Sequence, residues 1–253
     1  MKHIIGFCVA LVFALACPFR PVSAGPAEAL KAYADLLKTV AQTDGVRWDL
    51  VGPAQKEELK TFLAYASEVR SADQPSREAQ LAFWINAYNA CVMKLILDHM
   101  PIQDVMKLPG FRDRLQCSVA GQDRTLVDIE SGVIGPLFSE PRAHFALWWG
   151  IKGGPRLAAV PYEGKALNRM LEDQTKAFVI DPVNVEFSST PTGLTLSPLF
   201  GWYKSDFGKT EEGVLAFIRK RLPKEKSAMI PKNLARVKFA ALDWTLDQTN
   251  LKH

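Results

Sequence analysis

Recognisable catalytic and metal-binding motifs are what this 253-residue chain lacks. It has no His-Glu-x-x-His and no Cys-x-x-Cys, and its four histidines are scattered at His3, His99, His144 and His253, which removes the spacings that build a protein metal site. No Gly-x-Ser-x-Gly elbow is present, so the exposed serine of an α/β-hydrolase is excluded. Gly208-Lys209-Thr210 ends like a phosphate-binding loop, but the glycine that such a loop needs five positions earlier is Tyr203. A strong charge excess is also missing: 31 Lys and Arg stand against 27 Asp and Glu, for a formal net charge of +4. Without a basic stripe interleaved with aromatics, nucleic acid is excluded as a partner. Long apolar runs are absent too, since the run from Ile4 to Ala16 falls short of the about 20 residues that span a bilayer.

What stands at the amino end is the layout of a secretory signal peptide. Lys2 precedes the apolar run, and Val22-Ser23-Ala24 places small residues at a cleavage site after Ala24. The expectation is an exported protein, periplasmic or secreted, with residues 1–24 removed and 25–253 forming a single domain. Cys17 offers the alternative of a lipid-anchored protein, although Ala14-Leu15-Ala16 matches the lipoprotein lead-in poorly. A membrane is a partner only in that case. Loss of Lys2 and Arg20 with the leader lowers the net charge to +2. Of the four cysteines, only Cys91 and Cys117 then remain, in an oxidising compartment. They can pair, but the apolar setting of Cys91 favours two buried, inert thiols.

Apolar spacing predicts helices over 26–41 and 54–70, and a longer one from a Ser76 cap to about Asp98, apolar almost all round and therefore central. A hairpin is expected at 116–119 and 124–126, then a short helix capped by Asp128 and a buried strand at 145–149. A helix over 163–178, a second hairpin at 185–187 and 194–196, a helix over 211–221 and a closing strand near 237–246 complete the pattern. Clustered strands without strict alternation with helices give an α+β class, several helices packed on a mainly antiparallel sheet with two hairpins. The order of helix, histidine strand and aspartate strand loosely parallels a papain- or transglutaminase-like core, an analogy of order alone.

Five segments in sequence carry a family resemblance: Phe83-Trp84-Ile85-Asn86-Ala87-Tyr88-Asn89-Ala90; Asp128-Ile129-Glu130; Pro141-Arg142-Ala143-His144-Phe145-Ala146-Leu147; Leu196 to Phe207; and Asp243-Trp244-Thr245-Leu246. With them, residues 76–247 resemble the family catalogued as domain of unknown function 547, whose activity is unsettled. Relatives usually carry cysteine where this chain has Trp149 and Gly154, so the resemblance implies that any thiol chemistry at those positions is lost here.

His144 is the candidate general base, with Glu130 or Asp243 to orient it. It can equally be a core histidine bonded on both nitrogens. Asn86 and Asn89 lie three apart on one face of an apolar helix and either pin a neighbouring loop or line a site. Gly150, Gly153 and Gly154 make a loop whose free amides could hold an oxyanion, or simply a turn. Trp149, Trp202 and Tyr203 complete the candidate ligand-binding set, an aromatic left exposed beside His144 marking a place for an apolar or sugar-like ligand. No cofactor and no metal are called for. The leading expectation is an exported envelope-associated protein that binds a small molecule or an envelope component; the alternative is a hydrolase or acyl transferase using His144 with Glu130 or Asp243.

Overall fold

The computed structural model describes residues 24–187, 193–230 and 237–249. The signal-peptide reading, Cys17 included, falls outside them but for Ala24. Two helices open the described chain, α1 (Pro26–Val40) and α2 (Pro53–Glu68), each with proline in its first turn, where the missing N–H costs nothing. α1 buries Tyr33, Leu36, Leu37 and Val40 and packs on α2, with the Tyr33 and Phe62 rings stacked 4.4 Å apart. Between them lie the two-residue strands β1 (Ala41–Gln42) and β2 (Gly45–Val46).

Ser76 starts α3 (Arg77–Asp98): its hydroxyl oxygen accepts the Ala79 N–H at 3.1 Å, satisfying one of the helix's orphan donors. Every residue from Leu81 to Met93 is buried, so α3 is the axis of the fold rather than a one-sided surface helix. The hairpin of β3 (Gln116–Val119) and β4 (Gln122–Thr125) turns at Ala120-Gly121, both at positive φ. The turn is tied to the end of α2 by Ala120 N–H to Ala66 O and Gly121 N–H to Ser67 O, at 2.8 and 2.7 Å. That docking lays β3 along α3 and brings Cys117 to Cys91, Cα atoms 5.9 Å apart, as a disulfide. The expectation of two inert thiols is thus corrected: the same burial that suggested inertness packs their elements together.

Thr125, not Asp128, caps the next helix, α4 (Leu126–Ile129); Asp128 is the reciprocal partner that accepts the Thr125 N–H. The ladder then widens to a π turn, Glu130–Ile134, with the Gly135 N–H bonded to Glu130 O, before α5 (Gly135–Phe138). Pro136, which has no N–H to give to Gly132, sits where the register changes.

No strand forms at 145–149. Pro141–Phe145 is a 3-10 turn, entered through the Glu140 carboxylate, which accepts the Arg142 N–H at 3.1 Å. The following apolar residues run irregularly against α3, because a side chain supplies their backbone partners: Asn89 donates to Ala146 O at 3.0 Å and accepts the Trp148 N–H at 2.8 Å. An apolar run of this length reads alike as strand or as buried irregular chain.

α6 (Leu167–Ile180) leads to the second hairpin, β5 (Val185–Phe187) and β6 (Leu194–Leu196), antiparallel as expected. α7 (Leu199–Trp202), α8 (Glu211–Arg219) and α9 (Lys224–Ala228) follow, and the closing strand shortens to β7 (Lys238–Phe239), parallel to β6. Beyond it the expected strand persists only as isolated bridges, Asp104 to Thr245 and Ile151 to Leu246. The class is α+β, but among the described residues the strands form three small sheets of two, two and three strands around a helical core rather than one sheet carrying helices. The papain-like layout does not appear, since Cys91 is tied in the disulfide and His144 sits on a 3-10 turn. No described helix is long and apolar enough to cross a membrane.

Candidate functional site

The π turn points Glu130 inward, leaving it only 3% exposed. A buried carboxylate must be paired, and this one has two partners. Arg112 Nη2 donates to Oε2 at 2.6 Å, and the Tyr203 hydroxyl donates to Oε1. The Arg112 guanidinium lies 4.4 Å over the Trp149 ring, and its backbone is held by Val127 N–H to Arg112 O at 3.0 Å. Burial opposes the charge of Arg112, but the Tyr88 and Glu130 oxygens beside it more than offset that and hold its pKa above the ordinary value. Burial first, and then the Glu130 charge, push the Tyr203 and Tyr88 phenols well above theirs. Both therefore stay protonated donors at neutral pH.

His144 stacks on Tyr203, ring centroids 3.7 Å apart, with Nδ1 facing Glu130 Oε1 at 4.0 Å. Its Nε2 lies 2.8 Å from Asp206 Oδ2. A carboxylate oxygen can only accept, so Nε2 carries the proton of that bond. Asp206 belongs to a tight turn whose neighbour Phe207 plugs into the rings of Phe145, Phe200 and Phe217. Adjacent pairs thus meet twice: Phe145 on Phe207 inside, His144 on Asp206 outside.

Of the residues named from the sequence, His144, Glu130 and Tyr203 come together, and Trp149 joins them through Arg112. Trp202 stacks on Trp149 at 6.0 Å and on Trp244 at 6.4 Å, yet remains 53% exposed. Asp243 is elsewhere: its carboxylate accepts from Thr245, N–H and hydroxyl, and those bonds lower its pKa. Asn86 and Asn89 are buried brackets. Asn86 holds Tyr162 by N–H and C=O at 2.9 and 2.8 Å, and Asn89 holds the 146–148 stretch. Gly153 and Gly154 offer no oxyanion hole: the amides of Lys152, Gly153 and Gly154 already donate to Thr245, Asp243 and Ile151 oxygens. A Cβ at Gly153 would lie 2.6 Å from the Asp243 nitrogen, so this loop is glycine-rich to admit the 243–245 backbone.

Arg112 and Asp206 were not singled out from the sequence. Asp206 stood inside the quoted Leu196 to Phe207 segment; Arg112, in a loop with no periodicity, carried no signal. Among the described residues no group of three or more His, Cys, Asp or Glu side chains is arranged to hold a metal ion. The cluster contains no thiol, both described cysteines being bonded to each other. Chemically it offers a buried carboxylate that the Arg112 cation neutralises and the Tyr203 phenol hydrogen-bonds, and an imidazole between two acids.

Searches among curated proteins and among solved structures find nothing similar to this chain. One family model does match, over residues 72–179, a span that contains α3, Arg112, Glu130, His144 and Trp149. Over that span the chain is similar to the family described as "Protein of unknown function, DUF547".

Proposed function

We propose that this is an exported, envelope-associated ligand-binding protein whose recognition face is Trp202 beside the Glu130–His144 cluster. The observation that carries the reading is the exposure of Trp202, a large aromatic left half in solvent while it stacks on buried Trp149 and adjoins Tyr203, which covers His144. Rigid aromatic surface next to fixed hydrogen-bonding groups suits a ligand with an apolar or sugar-like face. His144 fits the role of a bound structural ring, since its Nε2 proton is already given to Asp206. Export rests on the amino-terminal pattern alone, and lipid anchoring at Cys17 is its alternative.

A hydrolase or acyl transferase is the second reading, favoured by two carboxylates near His144, at 2.8 and 4.0 Å. It requires Asp206 to swing away and free Nε2 as a base; at 44% side-chain exposure Asp206 has the solvent access to do so. Turnover of a panel of peptides, esters and cell-wall fragments by the protein and by His144→Ala separates the two. The binding reading expects silence from both, with saturable quenching of tryptophan fluorescence by a fragment that Trp202→Ala no longer shows. Turnover lost in His144→Ala overturns it in favour of the enzyme.

A further inference from the structure

Away from this cluster, the first half of α3 forms one wall of a cavity of about 480 Å³. That volume falls in the range of small-molecule sites, roughly 300–1,000 Å³. Its body is apolar, built from Leu30 of α1, Phe62 and Tyr65 of α2, and Ala82 and Phe83 of α3. Its far wall is the strap Tyr162 to Lys165, which Asn86 clamps to α3 and whose Gly164 packs directly against the Ala79 backbone. Ala79, Ala82, Phe83 and Asn86 recur at helical spacing, so α3 turns one face into the cavity while its others are sealed in the core.

The polar groups gather at the mouth. Lys165 is exposed and makes no ion pair among the described residues. The Ser76 hydroxyl accepts from Ala79 N–H and gives its own proton to the Glu78 carboxylate, at the amino end of a 22-residue helix. Glu163, on the same rim, is exposed and solvated; its charge opposes an anion there but is countered by Lys165 two residues on. Deeper, Tyr162 lines the wall, its buried hydroxyl beside Gln174.

We propose that this cavity is a second binding site, for a medium-chain amphiphile with an anionic head, a fatty-acid-like carboxylate, its chain on Phe62, Tyr65 and Phe83 and its head against Lys165. The site is separate from the Trp202 face and does not depend on it. Calorimetric titration of the full chain with dodecanoate, and with dodecanol as the uncharged match, tests it. Saturable one-to-one binding of dodecanoate is expected, weakened about tenfold in Lys165→Gln while dodecanol binding is unchanged. Leu30→Trp, which fills the cavity from a half-buried wall position, abolishes both, and Trp202→Ala alters neither. Lys165 is exposed, so Lys165→Gln reports even where Leu30→Trp folds poorly. The proposal is overturned by the absence of saturable dodecanoate binding, or by binding that Lys165→Gln leaves unchanged.

Discussion

Replacing Asn89 by alanine removes two hydrogen bonds that the interior has no other means of making. The amide donates to Ala146 O at 3.0 Å and accepts from Trp148 N–H at 2.8 Å, and both Ala146 and Trp148 are fully buried, so water cannot substitute. Each backbone group left unsatisfied costs about 1–3 kcal/mol, which makes the expected loss about 2–6 kcal/mol. Domains of this size are stable by about 5–15 kcal/mol in all, so the loss is a large fraction of the total. At roughly 2–4 °C per kcal/mol, a central value of about 4 kcal/mol lowers the thermal midpoint by about 8–16 °C. Urea unfolding followed by tryptophan fluorescence should show the same change as a lower midpoint with an unchanged slope. Asn89→Asp keeps the acceptor for Trp148 but gives Ala146 no donor and buries a charge, so it should do no better. A drop of under about 2 °C for Asn89→Ala would refute the reasoning, because it would mean that the 146–148 backbone finds other partners.

Glu130→Gln removes the charge that Arg112 and Tyr203 both address, and breaking a buried pair from one side should cost about 3–5 kcal/mol, read from the urea midpoint. Reduction of the Cys91–Cys117 bond, which closes a 26-residue separation, should lower stability by about 3–4 kcal/mol in unfolding curves recorded with and without dithiothreitol. Burial raises the pKa of Asp247 above 3.8, despite the Trp148 Nε1–H donated to it at 2.7 Å. The native state then holds this proton to higher pH than the unfolded chain, so the group's contribution is greatest at low pH and is lost as pH rises from 3.8 through the raised native value. Asp247→Asn should therefore gain stability over the unaltered protein on going from pH 3 to pH 7, and a constant difference between their midpoints across that range would count against it. Gly150→Ala forces a side chain onto φ of +73° and against Ile96 Cδ1 at 2.4 Å, and should cost about 1–3 kcal/mol or more in the same assay.

Periodic elements were legible in the sequence because their period reports burial directly. Tyr33, Leu36 and Leu37 mark one face of α1, the unbroken apolar run of α3 marks a central helix, and Ala120-Gly121 marks a hairpin turn. The 141–149 segment was not, since its backbone is satisfied by the Asn89 side chain, a long-range partner that leaves no local trace. The Cys91–Cys117 bond depends on how β3 docks along α3, which no spacing encodes. In the candidate site, His144 stood out as a polar residue in apolar company and does lie with Glu130, a carboxylate of one of the family-like segments, whereas Asp243, from another of them, is turned to Thr245. Arg112 reaches Glu130 only because the loop before β3 folds back over Trp149, a tertiary fact.

Asn86 and Asn89 together make α3 a ruler. At about 1.5 Å of rise per residue, their separation of three positions fixes the places where the chain enters and leaves a long excursion, from Trp148 to Tyr162. One inserted residue between the two asparagines would swing one amide about 100° around the helix and release one end of that excursion. Between those ends, residues 150–153 are held by the 243–247 backbone and Arg156 pairs with Asp181, so only the stretch after Leu157 is without such ties among the described residues. Residues 158–160, half-exposed or exposed, can therefore change in sequence and even in length while Trp149 and the Glu130 cluster keep their positions, which gives this fold a stretch where surface specificity can drift without disturbing the interior.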